Sequence, residues 1–167
     1  MTKNHYSKIE EFIRVSIPSL INFLIYDTED GTYIMFERYR IQKRSDKTIV
    51  TRFRDDKILS FNKMRNAVAW TVLDKNNKMW EANRLMELDL KSVGLELDMA
   101  IHERIKKNTQ DVERYDIMIN KIQHDLALQT KFQKEIDKYI IMANECQQQG
   151  FKNELTRSSR KQKEQIS

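Results

Sequence analysis

The chain has 167 residues, 40% of them hydrophobic and 33% charged, with a formal net charge of +5. This balance excludes a wholly disordered chain, which would be less apolar, and a membrane-spanning protein, which would be less charged. The longest apolar run, "SLINFLIY", is far shorter than the roughly 20 residues that a helix needs to cross a bilayer.

The cysteine content and the N-terminal sequence indicate the cellular compartment in which the protein is expected. Cys146 is the single cysteine, so no intramolecular disulfide is expected, which is typical of proteins in reducing compartments. The N-terminus lacks the basic, then apolar, then small-residue leader that directs secretion. We therefore expect an intracellular protein.

The chain has only three glycines and one proline. These residues are common in loops and in folds with many strands. Long, uninterrupted helices are therefore expected. Gly31 lies in the turn-like segment "DTEDG", and Gly150 follows a long periodic run, where a helix C-cap is expected. Pro18 would break any single helix drawn across residues 6–24.

The N-terminal third predicts a short helix followed by a small antiparallel sheet. Residues 5–16 place their apolar side chains on one side of a helix. The segments after it combine β-branched and aromatic residues with turn residues between them. The predicted strands are 20–26, 32–43, 48–54 and, as a short fourth, 57–61, with a turn at 27–31.

From about Lys63 to about Gln149 the hydrophobic period is helical, with one polar interruption at 106–111. Ser60 or Asn62 is the predicted N-cap of the first helix in this region. The last part sustains 3-4-3-4 spacing over ten positions, eight of them apolar, which is typical of a coiled-coil seam. The seam positions are Val112, Tyr115, Ile119, Ile122, Leu126, Gln129, Gln133, Ile136, Ile140 and Ala143.

The helix before the interruption carries two apolar stripes. The first comprises Met79, Ala82, Met86, Leu90, Val93, Leu97 and Ile101, and the second comprises Leu85, Leu88, Leu95 and Met99. An antiparallel helical hairpin covers one stripe, and either the sheet or another copy of the chain must cover the other. Gly94 costs this helix about 1 kcal/mol relative to Ala, so it marks either a close helix approach or a tolerated surface position.

The segment "FERYRIQKRSDKTIVTRFR", residues 36–54, mixes basic and apolar residues in two predicted strands. A three-residue loop at Ser45–Lys47 would set Tyr39 opposite Phe53 and leave the arginines together on the other face. A two- or four-residue loop would mix arginines with aromatic residues on both faces. The three-residue loop is therefore the predicted register, with an arginine face formed by Arg38, Arg40, Arg52 and Arg54.

Positive charge is concentrated in this hairpin and in the tail. Residues 38–65 hold ten basic and three acidic residues, and residues 151–167 carry a net +3. Clustered positive charge supplies non-specific affinity for phosphate groups, although arginines on a solvated sheet face also discourage edge-to-edge aggregation. The candidate polyanion contacts are Arg38, Arg40, Lys43, Arg44, Lys47, Arg52 and Arg54, with Arg157, Arg160, Lys161 and Lys163 in the tail.

Catalytic and metal-binding patterns are missing from the sequence. His5, His102 and His124 are widely separated, and none has helical spacing to another histidine or to Cys146. The segment "DTEDG" begins like a calcium loop, but the bidentate Glu expected at the twelfth position is absent. The glycine-rich phosphate-binding loops and the GxSxG motif are also absent. We expect no enzymatic activity, no cofactor, no metal and no small-molecule substrate.

Part of the chain resembles a known group of proteins. The segments "FNKMRNAVAWTVLDKNNKMWEANRLMELDLKSVGLE" and "DKYIIMANECQQQGFKNELTRSSR" are similar to short proteins of tailed phages that infect marine cyanobacteria and similar marine bacteria. The resemblance runs from about Tyr33 to the tail, and its signature positions are Asn66, Ala67, Trp70, Asp74, Lys75 and the segment 138–144. It implies synthesis in the cytoplasm of an infected bacterium, with or without incorporation in the virion, and it transfers no functional residues, because the group has no assigned activity.

These observations predict an α+β protein. An antiparallel sheet of three or four strands packs on a helix within residues 1–74, a long helical hairpin or coiled coil spans 75–150, and 151–167 is a basic, flexible tail. The leading hypothesis for function is a phage structural or assembly protein that oligomerises through its helices. The alternatives are a nucleic-acid-binding accessory protein that uses the basic hairpin and tail, and a modulator of a host protein.

Overall fold

The computed structural model describes the backbone of residues 2–27 and 32–166 and the side chains of residues 8–23 and 32–150. It has the predicted α+β architecture, in which helices pack on one face of an antiparallel sheet. The helices are α1 (Thr2–Ser16), a 3₁₀ helix (Pro18–Phe23), α2 (Met64–Lys75), α3 (Met79–Lys107) and α4 (Val112–Ile166). The strands are β1 (Leu24–Asp27), β2 (Thr32–Met35), β3 (Tyr39–Arg44), β4 (Lys47–Arg52) and β5 (Lys57–Phe61).

The sheet has five strands in sequence order, each antiparallel to the next, where three or four were predicted. The predicted strand 32–43 is two strands, because Phe36 and Glu37 turn the chain with φ values of 58° and 60°. The Arg38 N–H closes the turn on the Met35 carbonyl at 3.0 Å. Left-handed φ costs a residue with a side chain about 1–2 kcal/mol, and this turn has no Gly or Asn to signal it.

The first predicted strand, 20–26, also begins later than expected. Pro18 starts a 3₁₀ helix that continues to Phe23, and β1 occupies only Leu24–Asp27. Proline suits the first turn of a helix because its missing N–H has no partner there. The turn predicted around Gly31 lies outside the described residues.

Helix α2 forms the centre of the core. Every residue from Asn66 to Asp74 is buried, because the sheet covers one side of the helix while α3 and α4 cover another. The Trp70 ring lies between Tyr39 and Phe61, with centroid distances of 6.2 and 6.0 Å. Burial on all sides explains why this short helix has no polar face, although the sequence pattern is helical throughout.

Helices α2 and α3 are separate, which corrects the prediction of one helical region from 63 to the interruption at 106–111. The helical conformation is interrupted at Asn76–Lys78, where Asn77 has a φ of 60°. The Asn76 side chain donates a hydrogen bond to the Val72 carbonyl at 2.7 Å. Asparagine adopts left-handed backbone more readily than other residues with a side chain. The pair of asparagines was therefore a usable signal in the sequence.

The N-terminus of α2 is bound by a side chain from another helix, so the predicted cap by Ser60 or Asn62 is wrong. Lys63 occupies the N-cap position without a side-chain cap. The buried Asp89 carboxylate of α3 accepts hydrogen bonds from the backbone N–H groups of Asn62 and Lys63 at 2.8 and 3.1 Å, and from the amides of Asn62 and Asn66. An anion here also interacts favourably with the positive end of the helix dipole.

Helices α3 and α4 form the predicted antiparallel hairpin, with the connection at Asn108–Asp111. The predicted helix end at Gly150 is wrong, because α4 continues through this residue to Ile166. A Cβ placed on Gly150 would meet no atom of the described residues within 4 Å outside its own helical backbone and chain neighbours, so no described contact requires glycine here. The side chains of the predicted tail contacts, Arg157, Arg160, Lys161 and Lys163, lie outside the described residues.

Candidate functional site

The basic hairpin of β3 and β4 has a two-residue loop, Ser45–Asp46, and not the predicted three-residue loop. Arg44 therefore pairs with Lys47 and Tyr39 with Arg52. Because side chains alternate between the two faces of a strand, this one-residue difference moves Arg52 to the face that carries Tyr39. The predicted common face for Arg38, Arg40, Arg52 and Arg54 is wrong.

Arg52 is buried and lies between two carboxylates. Its Nη1 donates to Asp74 Oδ1 at 2.7 Å, while its Nε and Nη2 donate to the two oxygens of Asp55 at 3.0 and 2.7 Å. The Tyr39 hydroxyl donates to Asp74 Oδ2 at 2.6 Å. These contacts join the sheet to the C-terminal end of α2, so Arg52 has a structural role and offers no free charge to a polyanion.

The pKa shifts in this network are those expected of a structural link between the sheet and α2. The hydrogen bonds with Asp55 raise the pKa of Arg52 above its ordinary, already high value. In turn, the guanidinium lowers the pKa of the Asp55 carboxyl to about 2. Burial, and then the hydrogen bond to Asp74, raises the pKa of the Tyr39 hydroxyl. Arg52 thus stays cationic, Asp55 anionic and Tyr39 neutral over the physiological pH range, which does not suit proton transfer.

A cleft of about 360 Å³ opens beside this network. Its rim includes Arg38, Arg54 and Lys75, and the Lys75 ammonium lies 4.0 Å from the centre of the Phe36 ring. The cleft is also the C-terminal, negative end of α2 and contains the carboxylate of Asp74. These opposing charges make it a poor site for an isolated anion.

The other predicted contacts divide between the two faces of the sheet. The outer face is the face turned away from the helices, and it carries alternate residues of β2 to β5. Its described members are Thr32, Ile34, Arg40, Gln42, Arg44, Lys47, Ile49, Thr51, Ile58 and Ser60. Lys43 alternates to the opposite side of β3 and is exposed. The structure therefore brings together Arg40, Arg44 and Lys47, and separates Lys43, Arg38 and Arg54 from them.

The predicted helical seam is only partly buried within one chain. Ile122, Ile136, Ile140 and Ala143 are buried, and Ile119 and Gln129 are half-buried. The remaining seam positions are exposed, namely Val112, Tyr115, Leu126 and Gln133. The coiled coil itself stays a prediction, because a single chain pairs α4 only with α3 and the core.

The distal part of the α3–α4 hairpin, residues 90–130, projects beyond the core and is called the arm below. The buried hydrophobic cluster contains no residue of the arm. Of the predicted α3 stripes, the second packs inward through Leu85 and Leu88, whereas the first leaves Leu90, Leu97 and Ile101 exposed by 70%, 62% and 55%. The arm carries seven of the twelve large exposed hydrophobic side chains among the described residues.

Two polar contacts tie α3 to α4. In the arm, His102 Nδ1 lies 2.8 Å from the Oδ2 atom of the nearly buried Asp125. Nearer the core, Arg84 donates two hydrogen bonds to Glu135, and Tyr139 donates to the same carboxylate at 2.9 Å. The arginine lowers the pKa of Glu135, while burial raises the pKa of Tyr139 to about 12. These pairs align the two helices.

The described residues contain no group of His, Cys, Asp or Glu side chains that could hold a metal ion. No helix within the same part of the chain has the length and apolar character needed to cross a membrane.

Asp74 and Asp89 organise the core, and the sequence patterns did not single them out for this role. Each is an acidic residue within a run of apolar helical positions, and each is buried. Acidic side chains are rarely buried unless they are paired, so this placement was the available signal. Their partners lie 22 to 35 residues away, which no local pattern indicates.

Comparisons with known proteins give no assignment. No protein-family model, curated protein or solved structure matches the chain.

Proposed function

We propose that this chain is a non-enzymatic interaction protein that self-associates through its arm. The observation that carries the proposal is the exposed apolar stripe of α3, Leu90, Leu97 and Ile101, on a segment that projects from the core. Exposed apolar side chains on soluble proteins are usually scattered, and a cluster of them marks an interaction surface. The proposed occupant is the arm of a second copy.

The geometry of a helical hairpin favours this occupant. Two helices side by side have no enclosed core, whereas two such hairpins form a four-helix bundle with an interior that all four helices line. In this arrangement the exposed seam positions of α4, including Tyr115 and Leu126, join the α3 stripe at the interface. The arm also has nearly balanced charge, with six basic and seven acidic residues among 90–130. Two copies therefore approach without strong net repulsion.

Gly94 supports close packing against another molecule. It lies between Leu90 and Leu97 at the 4-3 spacing that places all three on one side of α3. Apart from its own helical backbone and chain neighbours, no atom of the described residues lies within 4 Å of the position its Cβ would occupy, so packing among them does not require glycine. A second helix that crosses here would benefit from the missing side chain.

Self-association is tested by sedimentation velocity over a range of protein concentrations. We expect the chain of 20.1 kDa to form a larger species that dissociates on dilution. The double variant Leu90→Gln, Leu97→Gln is expected to be monomeric and to keep its fold, because both side chains are exposed in the single chain. Its melting temperature should equal that of the unchanged protein only at concentrations where the unchanged protein is also dissociated.

The matched control is Val15→Gln, Ile141→Gln, which changes two apolar side chains exposed by 77% and 59% outside the arm. This variant should associate like the unchanged protein. A monomer at high micromolar concentration, or equal disruption by both double variants, would contradict the proposal.

The resemblance to tailed-phage proteins suggests a setting for this activity. We propose that the assembled form belongs to the virion or to an assembly intermediate. Virion proteomics tests this setting separately from the association itself.

A further inference from the structure

Among the described residues, the outer face of the sheet has exposed side chains on β3, β4 and β5 and a distinct composition. Tyr33, Tyr39, Ile41 and Val50 point to the opposite face and join the buried core, on which α2 packs. On the outer face, Ile34 and Ile49 are half-buried and Ile58 is 68% exposed. The face therefore carries isoleucines on β2, β4 and β5, and the polar side chains of β3 lie between those of β2 and β4.

Positive charge lies beside and between these isoleucines on β3 and β4. Arg40, Arg44 and Lys47 are exposed, and strands β2 to β5 place no acidic residue on the same face. None of the ion pairs formed by the described residues uses these three side chains. Such a surface is complementary to a partner with regularly spaced negative charge.

An aromatic ring is available beside these charges. Phe53 follows β4 and is half-buried, and the Arg40 guanidinium lies 5.6 Å from the centre of its ring. Paired aromatic and guanidinium groups on a sheet provide a platform on which a planar base can stack. Phosphate groups alone would not require this ring.

We propose that the outer face binds single-stranded nucleic acid. The backbone phosphates contact Arg40, Arg44 and Lys47, and unstacked bases lie against Phe53 and the exposed side chain of Ile58. Width argues against duplex DNA, since five strands about 4.8 Å apart span about 19 Å. The major groove is only about 12 Å wide, so the sheet cannot enter it and would meet only the sugar–phosphate backbone. This activity is independent of association through the arm.

Fluorescence anisotropy with the full chain tests the proposal. The probes are a labelled oligothymidylate and a labelled duplex of the same length, titrated at about 50 mM salt, where phosphate contacts are strong. We expect the single strand to bind at least tenfold more tightly than the duplex. The triple variant Arg40→Gln, Arg44→Gln, Lys47→Gln should lose at least tenfold in affinity, and its log–log salt slope should flatten by about 2, as expected for three lost phosphate contacts on a single strand.

A charge-matched control separates the face from the overall charge of the protein. Lys8, Lys131 and Lys134 are exposed on helices and lie outside the ion pairs of the described residues. Changing these three to Gln should leave affinity within about twofold, because binding at the outer face does not use them. A further variant that changes Arg157, Arg160, Lys161 and Lys163 to Gln measures any contribution from the tail.

Phe53→Leu tests the stacking component without changing charge. It should weaken single-strand binding about fivefold or more and leave the salt slope unchanged, because it removes a stacked base and no phosphate contact. Equal affinity for single strand and duplex, with no effect of Phe53→Leu, would overturn the proposal in favour of a non-specific polyanion surface. Absence of binding to the oligothymidylate at low salt would also overturn it, as would loss of binding only in the tail variant. Vesicles with acidic headgroups, used as a third probe, should bind no better than neutral ones.

Discussion

Arg52 and Arg40 lie on paired strands and have opposite environments. Arg52 is buried, and its guanidinium is neutralised by Asp55 and Asp74. Removing such a cation from water is costly, and the cost is offset here because three of its N–H groups donate hydrogen bonds to carboxylates at 2.7 to 3.0 Å. Arg40 is exposed above the Phe53 ring and keeps most of its hydration.

Because the two environments differ, we expect replacement of each arginine by glutamine to change the free energy of unfolding by different amounts. Arg52→Gln should lower the free energy of unfolding by about 3 kcal/mol, since it leaves the buried Asp74 carboxylate without its cation. Arg40→Gln should change it by less than about 0.5 kcal/mol, as is usual for exposed side chains. Urea denaturation of both variants measures the difference. Similar small losses for the two would show that Arg52 does not form the buried pair.

Helix α2 is held by a carboxylate at each end. Asp89 satisfies donors at its N-terminus, where negative charge is favourable, while Asp74 lies near its C-terminus, where the helix dipole opposes an anion. Arg52 compensates the second carboxylate and links it to β4. The helix is thereby fixed in the core by α3 at one end and by the sheet at the other.

Asp89→Asn tests the contact at the N-terminus of α2. The amide has one acceptor oxygen, and its own N–H groups meet the donors of Asn62 and Asn66. Stability should fall by about 2 kcal/mol, because buried donors lose their partners. The control is Asp98→Asn, which lies on the exposed side of the same helix and should change stability by less than about 0.5 kcal/mol. Chemical denaturation compares the two, and equal stability would rule out this role for Asp89.

The apolar residues of the chain are divided between a packed core and the arm. The core takes side chains from α1, the sheet, α2 and the proximal parts of α3 and α4. The arm buries only Met118, Ile122 and Asp125 within the chain. Regions with few buried contacts open at a lower free energy than the core, so the arm is the part of the hairpin whose stability depends most on a partner.

Hydrogen exchange should reveal this dependence. Protection of amides in residues 90–126 is expected to rise with protein concentration, because association stabilises the arm by mass action. Amides of α2 should show no such dependence when exchange is by local opening. Mass spectrometry of exchanged peptides measures both in one experiment. If the arm exchanged at a constant rate while the protein nonetheless associated, the interface would lie elsewhere.

Read alone, the sequence was sufficient for the α+β class, the helical hairpin and its connection near 106–111. These features follow from hydrophobic period and polar interruptions, which act over a few neighbouring residues. The same local patterns placed β4 and β5 close to their observed positions. Turns formed by residues without turn preferences, at Phe36 and Glu37, were missed because nothing in their side chains favours left-handed backbone.

The face on which each arginine lies was decided only by the tertiary structure. A strand has a period of two, so one residue more or less in the loop at Ser45–Asp46 inverts the whole of β4 relative to β3. The predicted register was chosen to keep charge out of the core. The observed register buries Arg52 because Asp74, 22 residues further along the chain, provides its counter-charge. A hairpin considered by itself contains no such partner, and its register was therefore not predictable from local pattern.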